Sequence, residues 1–320
     1  MAVTETQHAG GFILAEIMGQ LARSAVTVLS GQNLNAGAVV GRVKYGIGRI
    51  SIPAVAGGTG TGTVSNVFAG PEVEVGNYVL TCTAAVADGG VFSLTAPSGK
   101  ALPTLTMTPG SGGSTLYRSR HINFTITDAT DFIVGNSFTF VVSTTAPTVI
   151  GGTGTGTISA LALGRDATPG NYRVICTEAI TNGGRFQVYR GGPNGGASLG
   201  EYLMTAGSGT ATAFETPFFS FTLTDATDFI VGNSFDVCVF NQLAGGKAVA
   251  WDPTTFDGRH QVAGVLFDAV NASAADKAGV LVDTSAIVRK ASLSWGASIT
   301  AAEKESAYLD MRALGIIARD

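Results

Sequence analysis

Few residues in this chain have the types and spacing that chemistry needs. Asp128 and Asp131, with their counterparts Asp225 and Asp228, stand in two copies of DATDF. Paired carboxylates suggest calcium, but an EF-hand loop also wants ligands at alternating positions, a central Gly and a bidentate Glu. Two carboxylates fall short of that set, so an Asp capping a tight turn through nearby backbone amides is the favoured reading. GGTGTGT, at Gly57 and again at Gly151, invites a phosphate cradle. Such a cradle needs a helix N-terminus after it and a spacing of glycines and lysine that is missing here. The residues that follow (VSNVF, ISALA) suit strands, which makes the glycine run a linker or a first edge strand. Gly196 to Gly200 (GASLG) matches a nucleophile elbow, yet that motif works only on a sharp strand-to-helix turn. Here it follows RGGPNG in a loop, and none of His8, His121 and His260 is placed as a general base. Three cysteines without CxxC spacing and three scattered histidines make zinc improbable. No catalytic residue, cofactor or metal ligand is expected.

The elements that position these residues come in two copies. FTITDATDFIVGNSF (Phe124 to Phe138) returns as FTLTDATDFIVGNSF (Phe221 to Phe235), and each copy closes a unit opened by GGTGTGT. Between them Gly76-Asn77-Tyr78 returns as Gly170-Asn171-Tyr172, Cys82 as Cys176 and Phe92 as Phe186. A few extra residues in the second copy fall most simply in RGGPNGGASLG. Two tandem modules therefore occupy mid-chain. Alternation within them is clean: Tyr78, Leu80 and Cys82; Ile122, Phe124 and Ile126; Phe138, Phe140 and Val142; with the same pattern in the second copy. Side chains that alternate this way build one face of a sheet, and short strands punctuated by Gly and Asp predict β-sandwiches of immunoglobulin-like size. Cys82 and Cys176 fall on the apolar face and read as small buried hydrophobes.

Bulk properties narrow the class. Gly is 44 of 320 residues and charged residues are 13%, against about 25% in typical globular chains, while 45% hydrophobic content excludes a disordered chain. A net charge of −4 with no basic run leaves no footprint for nucleic acid or an anionic membrane surface. No secretory signal pattern and no membrane-length apolar run is found, and so few cysteines point to folding in a reducing cytosol.

On either side of the repeats the sequence changes character. A start containing GGFILAEIMGQ offers an apolar clump that either packs back on its own domain or docks on a partner, with a short helix near Leu14 to Leu21. Ala38-Val39-Val40 predicts a short strand. Toward the end, Ile287, Ala291, Leu293 and Trp295 are read as one strand face. Thr300 to Glu303 forms a capping box that starts a helix from Ala301 to about Leu314, ended by Gly315.

These flanks resemble a known family. Val249-Ala250-Trp251-Asp252-Pro253-Thr254-Thr255, then Asp257-Gly258 and Ala263-Gly264-Val265-Leu266, look like the central motif of the phage lambda head decoration proteins. Val288 through Trp295 with the following helix is similar to that family's C-terminal segment, and GFILAE and SGQNLNAGAVVG to its arm and first strand. The resemblance implies a small mixed β/α base that forms homotrimers on the outside of an expanded capsid and cements the major capsid protein. It also implies that Gly11, Phe12, Ile13 and Leu14 belong to a capsid-binding arm, and that Trp251, Asp252 and Trp295 are structural residues of the trimer-forming domain.

The full expectation is a mainly β chain on the virion surface. An N-terminal arm occupies 1–30, and a discontinuous base 31–54 and 244–320. Two immunoglobulin-like β-sandwich repeats cover 55–146 and 147–243. The rival reading makes the repeats an adhesin for host receptors or glycans, for which Tyr117 and Tyr189 are the candidate loop aromatics.

Overall fold

The computed structural model describes residues 8–17, 19, 21–57, 60–107, 113–151, 154–191, 196–205, 211–243 and 246–320. The chain forms two compact units, Met1–Lys44 with Ala244–Asp320, and Tyr45–Leu243. Strands dominate, and Ala301–Ala313 is the one α-helix among the described residues. It is too short to cross a membrane, and no described helix does better.

The discontinuous unit is built on a closed five-stranded barrel. Arg23–Val28, Lys247–Ala250, Val39–Val43, Val262–Leu266 and Lys277–Val282 follow one another around it. Neighbouring residues of the same strands feed two hydrophobic clusters. Val40, Leu266 and Leu281 join one; Val39, Val265 and Val282 join the other, with Trp251, Val288, Ala307 and Met311. Burial on both faces explains why Val39-Val40, Val265-Leu266 and Leu281-Val282 read as apolar pairs instead of alternating. The helix begins at the expected capping box, in which the Glu303 amide donates to Thr300 Oγ1 and the Thr300 amide to Glu303 Oε2. The Thr300 amide and hydroxyl, both donating to the Glu303 carboxylate, hold it below its ordinary pKa. Gly315 ends the helix at φ +84°, where a side chain would be strained.

Two expectations fail here. Ile13–Glu16 is a strand, not the start of a helix, and pairs antiparallel with Ala286–Arg289. Within Ala286–Arg289 the buried face is Ala286 and Val288, not Ile287, and a 3-10 turn over Lys290–Ser292 separates it from Leu293 and Trp295. The turn resets the period, so alternation counted across it picks the wrong face.

In the other unit the repeats share a single long sheet. Its path runs Ala101–Met107, Gly89–Thr95, Gly76–Val86, Ser137–Ser143, Tyr45–Ile50, Ser234–Asn241, Gly170–Ile180, Gly183–Arg190 and Ala197–Met204. Tyr45–Ile50, assigned from sequence to the base, is the middle strand and pairs antiparallel with both neighbours. Equivalent strands thus appear in mirror order on either side of it. Each half shares a core with its own three-stranded sheet: Ser114–Tyr117, Ile122–Thr130 and Thr61–Ala69 in the first copy, Thr157–Leu163, Phe219–Thr224 and Ala211–Glu215 in the second.

Mirror order with neighbours running the same way requires the two copies to use opposite faces of the long sheet. Ser234–Asn241 shows it directly. Phe235, Val237 and Val239 enter the core of the second copy, while Cys238 and Phe240 enter that of the first. In the first copy the counterparts of Cys238 and Phe240 are Val141 and Ser143, and Val141 is partly exposed. The repeats have diverged where only one of them covers a neighbour.

Candidate functional site

The arm residues lie against the base. Phe12 is fully buried in the cluster that contains Trp251, and Ile13 packs beside it. The Gly10 amide donates to Phe267 O, and the Arg289 amide donates to Phe12 O. Glu16 takes both ends of the Arg23 guanidinium at 2.6 Å, and that guanidinium stacks 3.9 Å from the Phe267 ring centre. A bidentate pair of this kind fixes geometry as well as charge. The segment therefore packs back on its own domain through Phe12, while Gly11 and Leu14 remain exposed. Leu14, Ile17 and Leu21 are 45, 71 and 69% exposed. Of these, Ile17 lines a groove together with Ala15, Ala286, Ile287 and Ile317.

Trp251 and Trp295 meet edge-on at 5.9 Å, and Tyr308 of the helix meets Trp295 at 5.7 Å. Trp251 Nε1 donates to His260 O at 2.8 Å, which satisfies the indole inside the core. Asp252 accepts from the amide and hydroxyl of Thr254, closing the turn that follows. The structure thus brings Phe12, Ile13, Trp251 and Trp295 into one cluster, with Asp252 at its margin.

The motifs that suggested other chemistry resolve as architecture, with one exception. Ser198 of GASLG lies in a strand and its Oγ accepts from Gln187 Nε2, so no elbow forms. Residues 192–195 of the preceding loop lie outside the described residues. The glycine runs end in edge strands. Gly62 and Gly156 lie under Phe132 and Phe229, where a Cβ would come within 2.2 and 1.9 Å of the ring. All three cysteines are buried thiols, and burial raises the pKa of each.

The exception is DATDF. Asp131 does cap a turn, accepting from the Asp88 amide at 2.9 Å, as Asp228 does from Asn182 at 2.8 Å. Asp128 does not. It sits inward on the strand Ile122–Thr130, and neither of its carboxylate oxygens has solvent or a hydrogen-bond partner; the same holds for Asp225. Burial raises the pKa of both, with Asp131 and Asp88 adding to the effect at Asp128, and Asp228 at Asp225. Sequence reading missed Asp88, whose signal was the pairing of ADGG with TNGG in the two hairpin turns.

No curated protein and no solved structure matches the chain significantly. The family model described as bacteriophage lambda head decoration protein D matches residues 2–316. That span takes in the barrel, the arm, the tryptophan cluster and the repeats together, and the chain belongs to the phage lambda head decoration protein D family.

Proposed function

We propose that the protein binds the outer surface of an expanded phage head as a homotrimer and cements its major capsid protein subunits. Family membership supports a capsid-associated, structural and non-catalytic role at the virion surface. The observation that carries the finer reading is the placement of the arm. Phe12 and the Glu16–Arg23 pair lock the segment to the base, and Leu14, Ile17 and Leu21 are left facing outward. Large apolar side chains held in water on a fixed support are what a docking surface needs. Three such arms in a trimer would bind cooperatively through effective concentration, without any new contact. Each repeat serves as an immunoglobulin-like β-sandwich module carried by the base and displayed from the shell.

Saturable co-sedimentation with expanded capsids stripped of this protein tests the reading. Removing the whole of 1–30 would delete the barrel strand Arg23–Val28, so the informative variant is Ile17→Ser with Leu21→Ser. Full-length protein should bind, the double variant at least about tenfold more weakly, with the same sedimentation-equilibrium mass. Absence of binding by the intact protein would remove cementing as its role. The adhesin reading gains no support from its aromatics. Tyr117 is buried with its hydroxyl on Pro103 O, and Tyr189 is partly buried within the strand Gly183–Arg190.

A further inference from the structure

We infer that Asp88, Asp128 and Asp131 form a calcium site in the first repeat, and that Asn182, Asp225 and Asp228 form a weaker copy in the second. Two segments distant in sequence meet there. Asp88 stands at φ +53° in the turn between Gly76–Val86 and Gly89–Thr95, Asp128 on the facing strand, and Asp131 just beyond it. One ligand oxygen from each lies within 4.8 Å of the others. Oxygens that share one calcium ion at about 2.4 Å each lie no more than about 4.8 Å apart, so these three carboxylates are close enough to hold a single ion.

Crowded acids alone would not make a site. The independent observation is the buried pair of carboxylates. Asp128 is 9% exposed and Asp225 3%, and all four of their oxygens are shut away from solvent without a hydrogen bond. A carboxylate so placed is costly unless a cation or a proton answers it. The charged groups beside Asp128 are Asp131 and Asp88, both acidic. The neighbouring Ala129 amide, like Ala226 at Asp225, favours the carboxylate from nearby but does not meet it in hydrogen-bond geometry. The arrangement recurs in the second repeat, including the Asp228 bond to the Asn182 amide and the left-handed turn at Asn182 (φ +56°). A neutral amide there keeps an oxygen ligand but removes one negative charge, which lowers calcium affinity.

The test is calorimetric titration of the EDTA-stripped full-length protein with calcium chloride, paired with thermal melting in calcium and in EDTA. Two binding events of unequal affinity and a melting midpoint raised by several degrees are expected. Asp88→Asn gives the first site the composition of the second and should weaken the tighter event about tenfold without loss of fold. Asp128→Asn with Asp225→Asn should abolish both events and raise the midpoint measured in EDTA, because the buried charges are gone. Absence of calcium-dependent heat and of a melting shift would overturn the inference. So would binding that both variants leave intact.

Discussion

At the scale of single residues, the two repeats act as controls for each other. Tyr78 and Tyr172 are equivalent and fully buried, but Tyr78 meets His121 Nδ1 at 3.2 Å where Tyr172 packs on Phe218. Burial lowers the His121 pKa, Lys100 adds to that, and Glu74 and Glu72 oppose it without prevailing. The Glu72 carboxylate, 3.6 Å from Nε2, thus does not offset the effect of burial. The unfolded chain therefore takes up a proton near the ordinary histidine pKa of about 6.5, and the folded protein does so only at lower pH. Stability from this group is present above about pH 6.5 and is lost as pH falls toward the folded value. Denaturant midpoints between pH 7.5 and 5 should fall for the native protein and fall less for His121→Phe, the choice the second repeat already makes. A second residue prediction concerns Asn136, fully buried, whose Oδ1 accepts from the Ile133 amide at 2.9 Å and whose amide donates to Gly57 O. Asn136→Ala orphans a loop amide and should cost about 2 kcal/mol in urea unfolding, and Asn233→Ala about the same.

At the scale of elements, the glycine-threonine runs show how a motif can mislead and still be read. Strand alternation puts Thr61 and Thr63 outward and Gly62 inward, under a phenylalanine that is 1% exposed. Nothing larger than glycine fits there. Gly62→Ala should lose about 1–3 kcal/mol through overpacking, and Gly156→Ala likewise. Thr61→Ala and Thr63→Ala should stay within about 0.5 kcal/mol by the same chemical unfolding. Most strands of the repeats were legible because each buries one face, so period-two alternation survives in Tyr78, Leu80 and Cys82 or Phe138, Phe140 and Val142. Tyr45–Ile50 was not legible. Its neighbours press on both sides, and Gly46 lies against the Phe240 ring and Gly48 against the Ser143 carbonyl, so it carries glycine where a strand signal would be. The cation site was hidden for a related reason. Its ligands come from a hairpin turn and a facing strand, and only pairing across the module brings Asp88 to Asp128.

At the scale of the whole molecule, the long insertion leaves a simple mark on the base. Val43 pairs directly with Lys247 in the barrel, so the chain departs and returns at adjacent ladder positions. Gly246 returns with φ +83°, the backbone that hairpin turns use. An insertion whose ends already meet places little entropic burden on the domain it interrupts, because closing the loop is done by the barrel ladder itself. Replacing Lys44 through Gly246 by Asn-Gly turns the two strands into a two-residue hairpin of the favoured type. The shortened protein keeps the barrel, the tryptophan cluster, the capped helix and the arm residues Leu14, Ile17 and Leu21. It should unfold in one cooperative transition, keep the oligomeric mass of the parent, and sediment with stripped expanded capsids at similar affinity. A shortened base that folds yet fails to bind would move the capsid contact into the repeats. One that fails to fold would show that the base depends on the inserted unit, against the separate cores of the two units.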